Sequence, residues 1–290
     1  MELNAIVNEF RADKNQVDFL RNVAQSIGNI VKNNSNYLVR VKKTAHAGSV
    51  YKNTLLKNHL EVDCVYILER GYGLPLYGML MEIENILKWN LPAGTRFKKN
   101  THSISIELER KIGRVNVDVL AAYEVNSPLQ MMEVRNHDAY YGSTALFNKK
   151  YFNNMTRIYP RFSDLVLLLK LWKDSRSIPL NACMLELIAA EAVSRTREGE
   201  DFSFFLEMCF RTMQSFASGG PVEPVYWDEY LDGADIDCSY GQNGLLMIDP
   251  ADPNENLAKD ISTQDINYIK SQASKAACFM RKGEYSFLYS

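Results

Sequence analysis

At 290 residues the chain is long enough to bury a large core, as one bilobal unit or as two domains. Its 46% hydrophobic and 23% charged residues exclude a disordered chain, and a formal net charge of −2 excludes a globally basic nucleic-acid binder while leaving room for a local basic face. Five cysteines, Cys64, Cys183, Cys209, Cys238 and Cys278, form no Cys-x₂-Cys pair, which argues against a zinc ribbon. Their odd number and the lack of a signal-peptide pattern point to a reducing, cytoplasmic setting, and no apolar run reaches the ~18 residues of a membrane span.

Taken in chain order, residues 3–34 carry helical spacing through Ile6, Phe10, Val17, Leu20, Val23, Ile27 and Val31, closed by the Asn33-Asn-Ser-Asn36 turn cluster. Tyr37 to Lys43 reads as a first strand with basic residues at Arg40, Lys42 and Lys43. A Gly48-Ser49 turn follows, then a polar segment containing Lys52, then a β-rich run from Val62 to Leu68. Gly71 to Pro75 breaks the pattern, and Met79 to Trp89 resumes helical spacing. Thr95–Lys99, Ser103–Glu109 and Val115–Tyr123 read as strands, so the first half is a helix-flanked mixed or antiparallel sheet. Beyond residue 150 the pattern is helical: Ser163 to Lys173 with Ser163 as cap, Leu180 to Arg195 opened by Pro179, Phe202 to Phe216, and Gln264 to Cys278. Ser218 to Asn256 is rich in Gly, Pro and Asp and reads as mostly irregular.

The chemistry concentrates where the second strand begins. Glu61 and Asp63 are two residues apart, so in a strand their carboxylates leave the same face. Asp118 supplies a third acid within Val115-Asn-Val-Asp-Val119, whose alternation puts Asn116 and Asp118 on one face and the valines on the other. If the two strands pair, three carboxylates converge, a donor set suited to Mg²⁺, which takes oxygen ligands and leaves room for phosphate. Two such ions would activate an attacking hydroxyl and stabilise a leaving pyrophosphate. Solvated strand-end acids are the plainer reading of any isolated pair; the Gly-Ser turn upstream and the third acid downstream shift the balance toward a site.

These residues resemble a known family. Gly48-Ser49, Glu61-x-Asp63 and Val117-Asp-Val-Leu-Ala-Ala-Tyr123 are similar to the polymerase-β-type nucleotidyltransferase core, and more narrowly to the 2′-5′-oligoadenylate synthases and their cyclic-GMP-AMP-synthase-like relatives. Gly142-Ser-Thr-Ala-Leu-Phe147, Leu168-Leu-Lys-Leu-Trp172, Leu185-Glu-Leu-Ile188, Ile248-Asp-Pro-Ala-Asp-Pro-Asn254 and Cys278-Phe279 resemble stretches of the oligoadenylate synthase branch, in order, from about Gly48 to Phe279. Three positions depart from that branch: Glu61 stands for an Asp of the vertebrate synthases, Glu191 falls near a family tyrosine, and Met280 replaces a lysine.

The resemblance implies an α/β (α+β) fold: a nucleotidyltransferase lobe with a mixed sheet over residues 1–150, a helical lobe over 151–290, and an active site in the cleft between them. It implies Glu61, Asp63 and Asp118 as catalytic metal ligands for Mg²⁺, two ions in number, and Gly48, Ser49, Lys170 and Lys173 as nucleotide-binding residues. Asp249 and Asp252, by contrast, read as turn-formers. The implied activity is transfer of nucleotides from ATP, with GTP or other triphosphates as further donors, into 2′-5′-linked oligoadenylates in antiviral innate immune signalling. Double-stranded RNA is the implied activator. Arg40, Lys42, Lys43, Lys52, Lys149, Lys150 and Arg157 are its candidate contacts by region, since A-form RNA is read by shape and phosphate. A cyclic dinucleotide synthase, and a catalytically silent RNA-binding protein of the same fold, are the alternatives.

Overall fold

The computed structural model of the chain describes residues 2–36, 39–69, 76–100, 103–110, 113–124, 132–136, 139–143, 145–197, 199–225, 240–250 and 252–290. Two compact units result, Ala12–Lys150 and Met1–Arg11 with Tyr151–Ser290, each taken here by itself. The helical stretch expected over residues 3–34 is two helices, α1 (Leu3–Phe10) and α2 (Lys14–Asn33). Asp13 separates them: its carboxylate accepts from the Gln16 amide at 2.8 Å while the Gln16 side chain accepts from the Asp13 amide at 3.1 Å. This reciprocal cap starts a new helix. α1 does not belong with the N-terminal lobe, as the sequence suggests. It packs in the other unit, where Arg11 pairs with Asp164 at 2.6 Å and Phe10 stacks on Tyr289.

The first unit continues through β1 (Val41–Ala47), α3 (Gly48–Lys52), β2 (Glu61–Leu68), α4 (Leu76–Asn90), β3 (Arg96–Lys99), β4 (Ile104–Arg110), β5 (Gly113–Glu124), β6 (Met132–Asn136) and β7 (Ala139–Ser143). The sheet runs β1-β2-β5-β4-β3, with β6 on β5 and β7 on β6. β2 and β5 are parallel and every other pairing is antiparallel, which is the mixed sheet expected. The strand read at 37–43 forms over 41–47 instead, because its pairing with β2 carries it to Ala47 opposite Asp63. Tyr37, Leu38 and the Gly71–Pro75 break lie outside the described residues. The β6–β7 hairpin carries too few β-branched or alternating positions to be seen in the sequence. Val62, Cys64, Val115, Val117 and Val119 are fully buried, as is the apolar stripe Leu20, Ala24, Ile27 and Val31 of α2. From Cys64 onward β2 is buried on both faces, as a central parallel strand must be.

The second unit holds α6 (Phe162–Arg176), α7 (Ala182–Ser194), α8 (Phe202–Phe216) and α9 (Thr263–Arg281), with α5 (Ala145–Ile158) containing the division between the units. Ser163, expected as the cap of α6, lies inside the helix and is buried; the helix starts one residue earlier, with Asp164 of its first turn held by Arg161 at 3.0 Å. Asn181 and Asp201 cap α7 and α8 through their side-chain oxygens. Trp172 of α6 meets Phe210 of α8 edge-on at 5.0 Å. α7 is apolar nearly all round and is accordingly buried from Met184 to Val193.

The Asp-Pro-Ala-Asp-Pro stretch is a hairpin of β8 (Ile248–Asp249) and β9 (Asp252–Asn256), and Asp249 is buried within it. Its anchor is Asn256, whose buried amide donates to the Leu245 carbonyl at 2.9 Å and accepts from the Met247 and Ala258 amides at 3.1 and 3.0 Å. Replacing Asn256 with Ala orphans the Met247 and Ala258 amides, while the Leu245 carbonyl keeps its bond from the Gly241 amide at 3.0 Å. The expected loss in urea denaturation is about 2–3 kcal/mol.

Candidate active site

The parallel register of β2 and β5 sets Asp63 opposite Asp118 and Glu61 opposite Asn116. Directly opposed residues of paired strands leave the same face, so the three expected acids share one face of the sheet. Behind them Cys64 is fully buried, and its thiol is pushed up to about 12, first by burial and then by the charges of Asp63 and Asp118. It is a neutral packing group at physiological pH, not a nucleophile.

Gly48 opens α3 directly after Ala47, the partner of Asp63. Its φ is +70°, and a Cβ built there would stand 1.6 Å from Asp63 Oδ2 and 2.6 Å from Asp63 Cγ. The Asp63 carboxylate therefore lies over the glycine Cα, and only glycine suits both the backbone angle and the space. Ser49 is half-buried beside it.

Asp118 is held from the other side. Ser105 of β4 stands opposite it, and the Ser105 hydroxyl donates a short hydrogen bond to Asp118 Oδ1. Asn100 Nδ2 in turn donates to Ser105 Oγ at 2.7 Å and to Ser103 Oγ at 3.1 Å. Sequence reasoning missed Ser105 and Asn100, although the signal was present: Ile104, Ile106 and Leu108 alternate inward, which leaves Ser105 and Glu107 on the acid face. A cavity of about 370 Å³ opens there, lined by Glu61, Asn116, Asp118, Ser105, Arg96 and Lys98 among others.

For Mg²⁺ the donor set fits in kind: carboxylate oxygens on one face, with an amide and a hydroxyl beside them, are the hard ligands such an ion takes. The oxygens are not gathered into one cluster. Glu61 and Asp118 line the cavity while Asp63 is not among its lining residues, and among the described residues no group of three metal-ligating side chains is drawn together.

The remaining expected residues are more dispersed. Lys170 and Lys173 lie on α6 of the other unit, both half-buried, Lys173 3.3 Å from Asp174. Lys42, Lys43, Lys150 and Arg157 are exposed. Arg40 is exposed and 3.9 Å from Glu69. The Lys149 side chain lies outside the described residues. Lys52 does not belong on an RNA-facing surface: it is only 9% exposed, folded into the first unit by the short helix that carries it. Glu191, where the resemblance places a tyrosine, is buried and paired with Arg195; burial raises its carboxyl and the guanidinium pulls it back.

Solved structures give a clear answer on the fold. The chain matches CdnC of E. coli MS115-1, in complex with HORMA-deltaN, at a TM-score of 0.76 and 17% identity over 99% of this chain and 96% of that one. It matches the CD-NTase CdnG of Bradyrhizobium diazoefficiens, in complex with GTP, at 0.74 and 12% over 99% and 94%. The Cid1 poly(U) polymerase, with Mg and 3′-dATP bound, follows at 0.65 and 12% over 99% and 97%. The fold is that of the nucleotidyltransferases. No protein-family model and no curated protein matches the chain.

The glycine–aspartate contact makes a direct prediction. Gly48→Ala should destabilise the protein by about 2 kcal/mol or more, from a strained φ and the collision with Asp63. The double variant Gly48→Ala/Asp63→Ala should recover roughly 1 kcal/mol of that loss, read as a non-additive term in a denaturant double-mutant cycle.

Proposed function

We propose that the protein is a Mg²⁺-dependent nucleotidyltransferase that joins nucleoside triphosphates. The observation that carries this reading is the β2–β5 register, which sets Asp63 beside Asp118, with Glu61 two residues away and Gly48 against Asp63. It is supported by neighbours of the same fold in complex with ATP, with GTP, and with Mg and 3′-dATP. A nucleotide hydroxyl oxygen bonds to the donor α-phosphorus, the bond from that phosphorus to the α–β bridging oxygen breaks, pyrophosphate leaves, and the hydroxyl proton passes to solvent.

Glu61, Asp63 and Asp118 are the residues that would hold Mg²⁺, which when bound supplies positive charge to activate the hydroxyl and neutralise the departing pyrophosphate. The chain's own work is positional. Ser105 and Asn100 fix the rotamer of Asp118, and Gly48 admits the Asp63 carboxylate. On the sequence resemblance we assign Gly48 and Ser49, with Lys170 and Lys173, to the donor triphosphate.

For the product, the stretches shared with the oligoadenylate synthases favour 2′-5′-linked oligoadenylates made from ATP. The match to CdnC and CdnG over 99% of the chain favours a cyclic dinucleotide as the second reading. Incubating the protein with all four triphosphates and Mg²⁺, with and without duplex RNA, and weighing the products decides between linear and cyclic species. Asp118→Asn should lower turnover at least 100-fold, as loss of a metal ligand costs several kcal/mol of transition-state stabilisation. Ser105→Ala should lower it about tenfold with an unchanged melting temperature. Turnover by Asp118→Asn within tenfold of wild type removes the site assignment.

Activation by double-stranded RNA is the regulatory part of this proposal. Its supports are the exposed Lys42, Lys43 and Lys150 on one unit and the exposed Arg157 on the other. Contacts to phosphate weaken steeply with salt and vary little with sequence. The double variant Lys42→Glu/Lys43→Glu should therefore lose RNA binding and RNA-stimulated turnover together, while its RNA-independent turnover stays unchanged. Full stimulation of that variant, or no stimulation of the wild type, rejects RNA as the activator.

A further inference from the structure

The edge strand β3, Arg96-Phe97-Lys98-Lys99, carries three cations, and its register sorts them. Phe97 and Lys99 face α4: Lys88 lies 5.5 Å from the Phe97 ring, and Lys99 reaches the buried Glu84 carboxylate at 3.4 Å. Arg96 and Lys98 face the other way, into the cavity that Glu61 and Asp118 line. Lys98 stands opposite Ser105, Ser105 opposite Asp118, and Asp118 opposite Asp63, so one straight row crosses the sheet from a lysine to the paired aspartates. Arg96 heads the adjacent row, opposite Glu107, then Asn116, then Glu61.

The two cavity cations differ in what already occupies them. Arg96 lies 3.7 Å from Glu107, which Arg114 also approaches at 3.7 Å. Lys98 is exposed and makes no ion pair among the described residues. An edge lysine commonly serves only to discourage strand pairing. That role needs no particular face, whereas this side chain borders the cavity that Glu61 and Asp118 also line. Neighbouring strands lie about 4.8 Å apart, so β3 is roughly 10 Å from β5. That distance exceeds the reach of a nucleotide's α-phosphate from its sugar hydroxyls and is the reach of the terminal phosphates of a triphosphate.

Resting on the nucleotidyltransferase reading, we propose that Lys98 is the phosphate-binding residue of an acceptor subsite. It would take the phosphate-bearing nucleotide whose hydroxyl attacks, holding the polyphosphate at the β3 edge so that the sugar faces Asp118. An ammonium on a flexible stem suits a phosphate as a point charge.

The test uses the full chain with Mg²⁺ and ATP and GTP analogues in which carbon replaces the α–β bridging oxygen. Calorimetry should find a second equivalent of nucleotide on the wild type, lost in Lys98→Glu and kept in Lys98→Arg. In turnover with ATP as donor, the carbon-bridged triphosphate as acceptor should exceed the free nucleoside as acceptor by about tenfold or more in kcat/KM. Lys98→Glu should erase that preference. A second equivalent retained by Lys98→Glu, or an acceptor preference it leaves unchanged, overturns the subsite while the enzyme reading stands. A wild type that binds only one equivalent yet turns over also overturns it. A wild type that neither binds nor turns over any triphosphate removes the nucleotidyltransferase reading, and the subsite with it.

Discussion

The parallel pairing of β2 with β5 is the constraint on which the site depends. It sets two aspartates side by side in the middle of a sheet, an arrangement that like charges oppose by roughly 0.2–1 kcal/mol for a directly opposed pair. The apolar side of the same strands makes that arrangement tolerable: Val62, Cys64, Val117 and Val119 are fully buried, and a one-residue slip would carry them to the acid face and the carboxylates into the core. The hydrophobic pattern thus fixes the register, and the register fixes the chemistry. The repulsion that remains is the feature a divalent cation would relieve.

Each aspartate is then positioned by a neighbouring residue. Gly48 makes room for Asp63, and Ser105, backed by Asn100, holds Asp118. The two devices differ in kind. One is the absence of a side chain at a left-handed turn, which no other residue reproduces; the other is a hydroxyl that a threonine would also supply. Gly48 follows β1 directly and Ser105 lies on β4, the two strands that flank the acid pair, so the sheet order itself delivers them.

Much of this was legible in the sequence because it depends on period-two alternation and short spacing. Glu61, Asp63 and Asp118 on one face, the valines behind them and the mixed sheet all follow from those rules. Pairing across the sheet is less legible. Ser105 and Lys98 read as ordinary solvated positions until β4 and β3 are placed beside β5. Local periodicity is also silent on tertiary partners: α1 has a clear apolar stripe, yet nothing in it shows that the stripe meets α6 and not the first sheet. Lys52 failed for a related reason, since a lysine on a five-residue helix can fold its stem inward. The Ser163 cap failed because the helix begins at Phe162 with Arg161 at its cap position, and apolar spacing does not distinguish starts two residues apart.

At 12–18% identity the neighbours share fewer than one side chain in five with this protein, yet the fold persists over 97–99% of its length. Such persistence is expected when the common element is a backbone register with a few polar residues on it, because core positions tolerate exchange at constant volume and pattern. Specificity must then come from residues free to vary around that register, and the edge strand β3 is such a place. Its Arg96 and Lys98 border the cavity. Asp118 at one end and Lys98 at the other give that cavity a polarity along the row that joins them. A ligand whose phosphate lies at one end only would match that polarity in one orientation.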